Sequence, residues 1–324
     1  MGNATKIWLI VAAALVALGL ITFIAAMTVN HWDFAKLSTV EYETNTYQVS
    51  EEFSNVSIKA ETANILFAPS DEGKCKVVCY EQQKIKHSVT VEEKTLTVNT
   101  IDTRKWYDHI AIFSMATPRI TVYLPKSEYA SLLINVSTGD TEIPTDLRFE
   151  SIDVSASTGG VNCYASASDV IKIKTTTGDI CVKNVSAGSL DLTVSTGKVT
   201  ASAINCQGDV KINVTTGKAS LTDIVCKGVT SSGSTGNITL ENVIATQKLS
   251  ISRSTGDVKF DGSDAIEIYV KTDTGDVTGS LLTDKVFITQ TDTGRIDVPK
   301  TITGGKCEIN TDTGKIHIII EDQH

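Results

Sequence analysis

The chain has 324 residues, 41% hydrophobic and only 6% aromatic, which is enough apolar material for a large core and excludes a disordered tail. Thr, Ser, Val and Ile abound, a balance that suits many short strands packed through small β-branched side chains and points to an all-β fold. The formal charge is −9, and the 29 basic residues less Lys6 leave 28 against 38 acidic ones beyond the first apolar segment, so a nucleic-acid partner has no electrostatic support.

Residues 1–6 precede a charge-free run from Ile7 to Val29. As a helix it is about 34 Å long, enough to cross a hydrocarbon core of roughly 30 Å, and it predicts a transmembrane helix over 7–29. Trp8 and Trp32 bracket the run near the spacing of the two interfaces. Lys6 and the amino group favour a cytoplasmic N-terminus, with the C-terminal domain extracellular and the chain a single-pass protein of the cell membrane. The competing reading is a cleaved signal peptide with Ile24 and Ala26 before the cut, but the apolar stretch exceeds the usual 7–15 residues of such a leader. Residues 30–49 are polar and read as a stalk.

Residues 50–130 are strand-like and read as an N-terminal β cap, through runs such as Val56-Ser-Ile58-Lys-Ala60, Val89-Thr-Val91 and Ile120-Thr-Val-Tyr123. Within them Arg104-Lys-Trp-Tyr-Asp-His109 is the densest aromatic and charged cluster. It makes Trp106, Tyr107 and His109 the candidate interaction surface for a protein or glycan, against the alternative that Trp106 and Tyr107 pack the cap onto the first coil.

From residue 131 to 324 the dominant signal is repetition. Thr-Gly recurs at Gly139, Gly159, Gly178, Gly197, Gly217, Gly236, Gly256, Gly275, Gly294 and Gly314, always 19 or 20 residues apart. Counting from each Gly, positions −7 and −5 and then +2 and +4 are mostly apolar with polar residues between, so each repeat holds two short alternating strands that meet at the Gly. A sharp corner requires positive φ, which Gly reaches without a Cβ clash. The Thr before it falls in the inward register and would stack into a Thr ladder. So constant a period favours a parallel β-solenoid of about ten 19–20-residue coils over an antiparallel meander, because each coil must set equivalent residues over the last. On this reading Ile318, Ile319 and Ile320 form the free edge, blunted by Glu321 and Asp322 or open to self-association.

Catalytic and metal signatures are sparse. Seven cysteines, with no C-x-x-C pair, read as small buried hydrophobes rather than a disulfide framework. The five histidines are scattered, no P-loop, G-x-S-x-G or H-E-x-x-H occurs, and no cofactor is implied. Ser195-Thr-Gly-Lys198 satisfies S-x-x-K formally but falls on a repeat corner where the motif needs a helix. Asp273, Asp292 and Asp312 at position −2 and Asp257 and Asp276 at +1 form a stacked acidic ladder. It could take calcium, but Arg295 and Lys315 beside it favour solvated ion pairs.

The segments Ala60-Glu-Thr-Ala-Asn-Ile65, Val77-Val-Cys-Tyr-Glu81, Arg104-Lys-Trp-Tyr-Asp-His109 and Thr121-Val-Tyr-Leu-Pro-Lys126, followed by the S-T-G-D repeats, resemble the bacterial candidate-adhesin family of unknown function. The likeness covers nearly everything beyond residue 50 and extends to membrane-linked cell-envelope proteins with such β repeats, some associated with envelope stress. It implies no catalytic residues. The expectation is a non-enzymatic, membrane-anchored envelope protein that presents a rigid solenoid for adhesion, scaffolding or stress-linked interaction. The alternative is an envelope polysaccharide lyase or hydrolase on a β-helix. The oligomeric state stays open.

Overall fold

The structure, a computed structural model, describes residues 2–29, 31–32, 41–71, 73–105 and 116–321. Helix α1 (Asn3–Val29) is apolar and mostly exposed, with Met27 buried, and Ala4–Val29 is long and apolar enough to cross a membrane. Thr22 and Thr28 return their hydroxyls to the Leu18 and Ile24 carbonyls, which keeps both satisfied in an apolar surrounding.

Among the described residues all else is strand and connection. The first nine strands are β1 (Tyr42–Val49), β2 (Asn55–Thr62), β3 (Asn64–Pro69), β4 (Cys75–Gln82), β5 (Ile85–Glu92), β6 (Thr95–Asp102), β7 (Arg119–Leu124), β8 (Glu128–Thr138) and β9 (Thr141–Ile143). The middle coils follow as β10 (Arg148–Thr158), β11 (Val161–Cys163), β12 (Ser166–Thr177), β13 (Ile180–Thr196), β14 (Val199–Cys206), β15 (Asp209–Thr216), β16 (Ala219–Thr235) and β17 (Ile238–Thr255). The last are β18 (Val258–Thr274), β19 (Val277–Leu281), β20 (Lys285–Thr293), β21 (Ile296–Asp297), β22 (Gly305–Thr313) and β23 (Ile316–Ile320).

From Gly139 to Gly275 successive coils stack in parallel and in register, Thr158 on Thr138, Thr177 on Thr158 and onward to Thr274 on Thr255. The expected parallel β-solenoid is present. Its interior is one continuous core: Leu132, Ile152, Ile171, Leu190 and Val210 at position −7, and Val161, Ile180, Val199 and Val258 at +2, are at most 1% exposed. At about 25 cal/mol per Å² such ladders supply most of the stabilisation, each rung covering the next.

The corner shows why Gly recurs from coil to coil. Gly159 has φ 135°, and a Cβ there would lie 2.0 Å from the Gly139 carbonyl oxygen. The same contact recurs from rung to rung, so backbone stacks directly on backbone. A second corner lies six residues on, where Asn184, Ala203, Asp223 and Asn242 hold φ of 51–57° and Gly262 holds the equivalent place. Asn, Asp and Gly are the residues that accept that left-handed conformation most readily.

One expectation about the corner is reversed. The Thr before each Gly faces outward and is exposed in every coil, because positions −2 and −1 both turn to solvent as the strand straightens into the corner. The inward residue is −3, and there Thr175, Thr272, Thr291 and Thr311 donate to the Gly carbonyl of the rung they stack on, at 2.9–3.2 Å. The inner lining also takes a cation: Arg253, 3% exposed, fills the space left by Ser231 and Gly233 and donates to Ser231 Oγ at 2.8 Å. Burial lowers its pKa to about 10.

Both ends depart from chain order. At the C-terminal end β18 pairs with β22, not β20, and β19 with β23, so the Gly314 coil lies between the Gly275 and Gly294 coils. The free edge is therefore β20 and β21 rather than the Ile318–Ile320 strand, and Ile318 is 1% exposed. Lys285, 2% exposed, stacks on Gly305 of the intervening coil and reaches Asp264 at 2.5 Å. Asp264 in turn accepts from Thr283 Oγ1 and the Ala265 amide.

At the N-terminal end β2 and β3 form a parallel rung beneath β8 and β9, with Ala63 at the corner, and β6 and β7 form the next one out. Much of the segment expected to be a separate cap is thus solenoid. The covering elements are β1, antiparallel to β4, β4, antiparallel to β7, and β5, antiparallel to β6. Residues 42–49, assigned to the stalk on composition, are strand β1 of this cover.

Candidate functional site

Sequence singled out Trp106, Tyr107 and His109; all three lie outside the described residues. The repeat corners Gly139 to Gly314 are structural, since each carries backbone stacking and leaves no side chain to act.

In the acidic ladder Asp273, Asp292 and Asp312 at −2 are exposed, and the +1 carboxylates have a different use from the one their charge suggests. At +1, Asp140 accepts the Gly160 amide at 2.7 Å, Asp179 accepts Lys198 N at 2.7 Å, Asp257 accepts Asp276 N and Asp276 accepts Lys315 N, both at 2.9 Å. Asn64 and Asn237 do the same for Asp140 and Asp257. These side chains cap the amide of the next rung, and Lys315 also pairs with Asp276 at 3.3 Å. One oxygen of each carboxylate is thereby committed, and millimolar calcium is expected to leave the melting temperature unchanged; a rise of several degrees would show a site that the amide bonds do not pre-empt.

Ser195 and Lys198 sit at the end of β13 and on its corner, where the Lys198 amide is the group capped by Asp179. Nothing there brings the amine to the hydroxyl. On the outer face, Lys172 pairs with Asp153 at 3.1 Å and Lys211 with Asp191 at 3.8 Å, so carboxylates alternate with ammonium groups rather than facing each other across a groove. Such exposed pairs contribute little stability and do not form an acid–base couple.

Two features at the covered end have the chemistry of sites. The first is an open cleft of about 510 Å³ where β1 leads into β2 and β3 into β4, lined by Glu51, Glu52, Phe53, Lys74, Cys75 and Tyr129 among others. An aromatic column supports it, with Phe53 stacked on Tyr129 at 5.9 Å and Tyr129 against Phe149 at 5.7 Å. The Tyr129 hydroxyl is tied to the Pro125 carbonyl at 2.9 Å, and burial raises its pKa. An aromatic wall with two carboxylates and an amine at the rim suits a polar ligand with an apolar face.

The second is buried. The inward residues of β4 are Cys75, Val77, Cys79 and Glu81, and the alternation carries a carboxylate into the interior, 0% exposed. The β4–β5 hairpin pairs only at Gln82 and Ile85 before β5 departs to β6. Glu81 fills that divergence: Oε2 accepts the His87 amide at 2.7 Å and His87 Nδ1 at 2.6 Å, while Oε1 accepts Asn45 Nδ2 at 2.7 Å. The Tyr47 hydroxyl donates to the His87 carbonyl at 2.8 Å. Cys79 joins this pair, and one ligand atom from each of Cys79, Glu81 and His87 lies within 4.8 Å of the others. Burial, with the Glu81 charge second, pushes the Cys79 thiol up to about 12, so it is protonated and inert as a nucleophile. Scattered histidines gave no hint of this cluster; a Glu in the inward register of β4 was the available signal.

The family profile Toastrack DUF4097 matches residues 53–213 and 202–324. No curated protein matches the chain. Among solved structures it is similar to a candidate adhesin from Bacteroides fragilis, 16% identical, over 86% of this chain and 97% of that one with a TM-score of 0.45. A candidate adhesin from Parabacteroides distasonis is 12% identical over 85% and 98%, with a TM-score of 0.47. A candidate lipid-binding protein from the same species is 15% identical over 84% and 96%, also at 0.47. With nearly all of the chain beyond residue 52 matched by the profile, the protein belongs to the Toastrack DUF4097 family.

Proposed function

We propose that this chain is a non-enzymatic cell-envelope protein, tethered through α1 with its N-terminus cytoplasmic, that holds a rigid β-solenoid outside the membrane as an interaction surface for adhesion, scaffolding or envelope-stress signalling. The observation that carries the reading is the uninterrupted stack of 19- and 20-residue coils, with corners closed backbone on backbone, carboxylates at +1 such as Asp179 capping amides and outward ones such as Asp153 paired with lysines. Such a rod presents faces and ends, and its open cleft lies at the end that follows α1 in the chain. Retention of α1 rather than cleavage fits its length and the two serial Thr hydroxyls satisfied within it.

Tagged full-length protein in its native cells tests this. Protease added outside should remove a C-terminal tag and leave an N-terminal tag protected in the membrane fraction. The fragment from residue 41 should sediment with isolated envelopes and release no sugar from envelope polysaccharide. Recovery of the rod in the medium without α1, or saturable sugar release, would overturn the reading.

A further inference from the structure

We propose that the end of the solenoid formed by the Gly294 coil is a surface on which a second copy of this chain docks head to head. The two ends of the rod are unlike. At the N-terminal end β4 and β5 run antiparallel to the outermost rung, and β1 runs antiparallel to β4. At the other end, among the described residues, β20 pairs only with β22 and β21 only with β23. The far edge of nine-residue β20 therefore presents a row of amides and carbonyls without a strand beside it.

The core is open there as well. Ile296, at the inward position +2, is 41% exposed, and Phe287 and Val298 are only partly buried, where the equivalent residues of the middle coils are covered by the next rung. Ile288 on β20 is 50% exposed, and Ile302, which follows β21, is 92% exposed.

What covers such an end must bring a strand edge and an apolar face, and a second copy brings both. An antiparallel pair has a two-fold axis across its hydrogen bonds, so two β20 strands supply each other's missing partners. The same axis sets Phe287, Ile296 and Val298 of one copy over those of the other. Charge permits the approach: residues 284–304 hold Asp284, Asp292 and Asp297 against Lys285, Arg295 and Lys300, so the tip is neutral in a chain of net charge −9. At about 30 Å for β20 and about 20 Å across both sheets, the face is roughly 600 Å² per copy, the low end for a specific interface. Because the opposite end is covered, the contact closes at two copies and does not propagate into a fibre. It goes beyond the proposed tethering and does not depend on it; with α1 in a membrane it would join rods by the ends away from their anchors.

Sedimentation velocity on detergent-solubilised full-length protein should show a reversible monomer–dimer equilibrium between about 1 and 100 μM. Ile302→Lys and Ile288→Lys each add a charge to both sides of the contact at an exposed position, and both should melt as wild type while weakening the dimer at least about 10-fold. Val225→Lys, at a position 52% exposed in mid-rod, should leave the dimer unchanged. Tip variants that dimerise as tightly as wild type would place the contact elsewhere, α1 included, and overturn the proposal. Wild type that stays monomeric at about 100 μM would also overturn it and leave the open edge to a strand from a different protein. Neither result bears on the tethering, which the protease experiment tests separately.

Discussion

Gly159→Ala is expected to destabilise the solenoid by at least about 3 kcal/mol, while Gly160→Ala, one residue on, is expected to change stability by less than about 1 kcal/mol. The two glycines are neighbours on one corner, so composition and exposure barely distinguish them. At Gly159, φ is 135° and a Cβ would sit 2.0 Å from the Gly139 oxygen and 2.6 Å from its carbonyl carbon, so the rungs must part or the corner must rebuild. A Cβ on Gly160 meets Asp140 Oδ1 at 3.5 Å and Asp179 O at 3.6 Å, ordinary contacts that leave its amide bond to Asp140 intact. Because each rung touches only its neighbours, the damage in Gly159→Ala should appear as lost coupling at that interface, with a lower or split unfolding transition by calorimetry. Equal behaviour of the two variants would remove the steric account of the corner.

The second large effect is expected at the exchanged end. Lys285 and Asp264 pair at 2.5 Å with side chains 2% and 10% exposed, and Thr283 donates to the carboxylate. Removing either charge alone strands the other in the interior. Lys285→Met and Asp264→Asn should each cost about 3–5 kcal/mol. The double variant should cost less than either single one, since asparagine can still accept the Ala265 amide at Oδ1 and donate Nδ2 to Thr283 Oγ1, while no ion is left unpaired. Urea unfolding of the four proteins gives the cycle. Additive losses would mean that the pair does not act as a unit.

These residues also mark where sequence was legible and where it was not. The period, the corner Gly and the inward columns at −7, −5, +2 and +4 follow from side-chain alternation and the need for a backbone without Cβ, and the structure has them in every coil but that of Gly294, where Ile296 at +2 is 41% exposed. Stacking order could not be read the same way. A 19- or 20-residue coil presents the same ladder above and below, so the Gly294 and Gly314 coils are interchangeable by pattern. What separates them is a two-rung reach from Lys285 past Gly305, a tertiary contact. The outward Thr column was misassigned because two consecutive residues, −2 and −1, face solvent and the alternation does not carry across the corner. At the covered end, Glu81 and His87 meet only because the hairpin diverges after one paired position.

The account rests on one continuous rod whose rungs at both ends are stacked out of chain order, and cross-linking tests this most directly. Tyr269 stacks on Glu308 of the Gly314 coil, whereas Ile288 of the Gly294 coil stacks on the far side of Glu308. Neighbouring parallel strands are about 4.8 Å apart, within disulfide reach, and strands two rungs apart are not. Oxidation should therefore join a Tyr269→Cys, Glu308→Cys pair and leave a Tyr269→Cys, Ile288→Cys pair reduced. The opposite pattern would mean that the coils stack in chain order and would contradict the account.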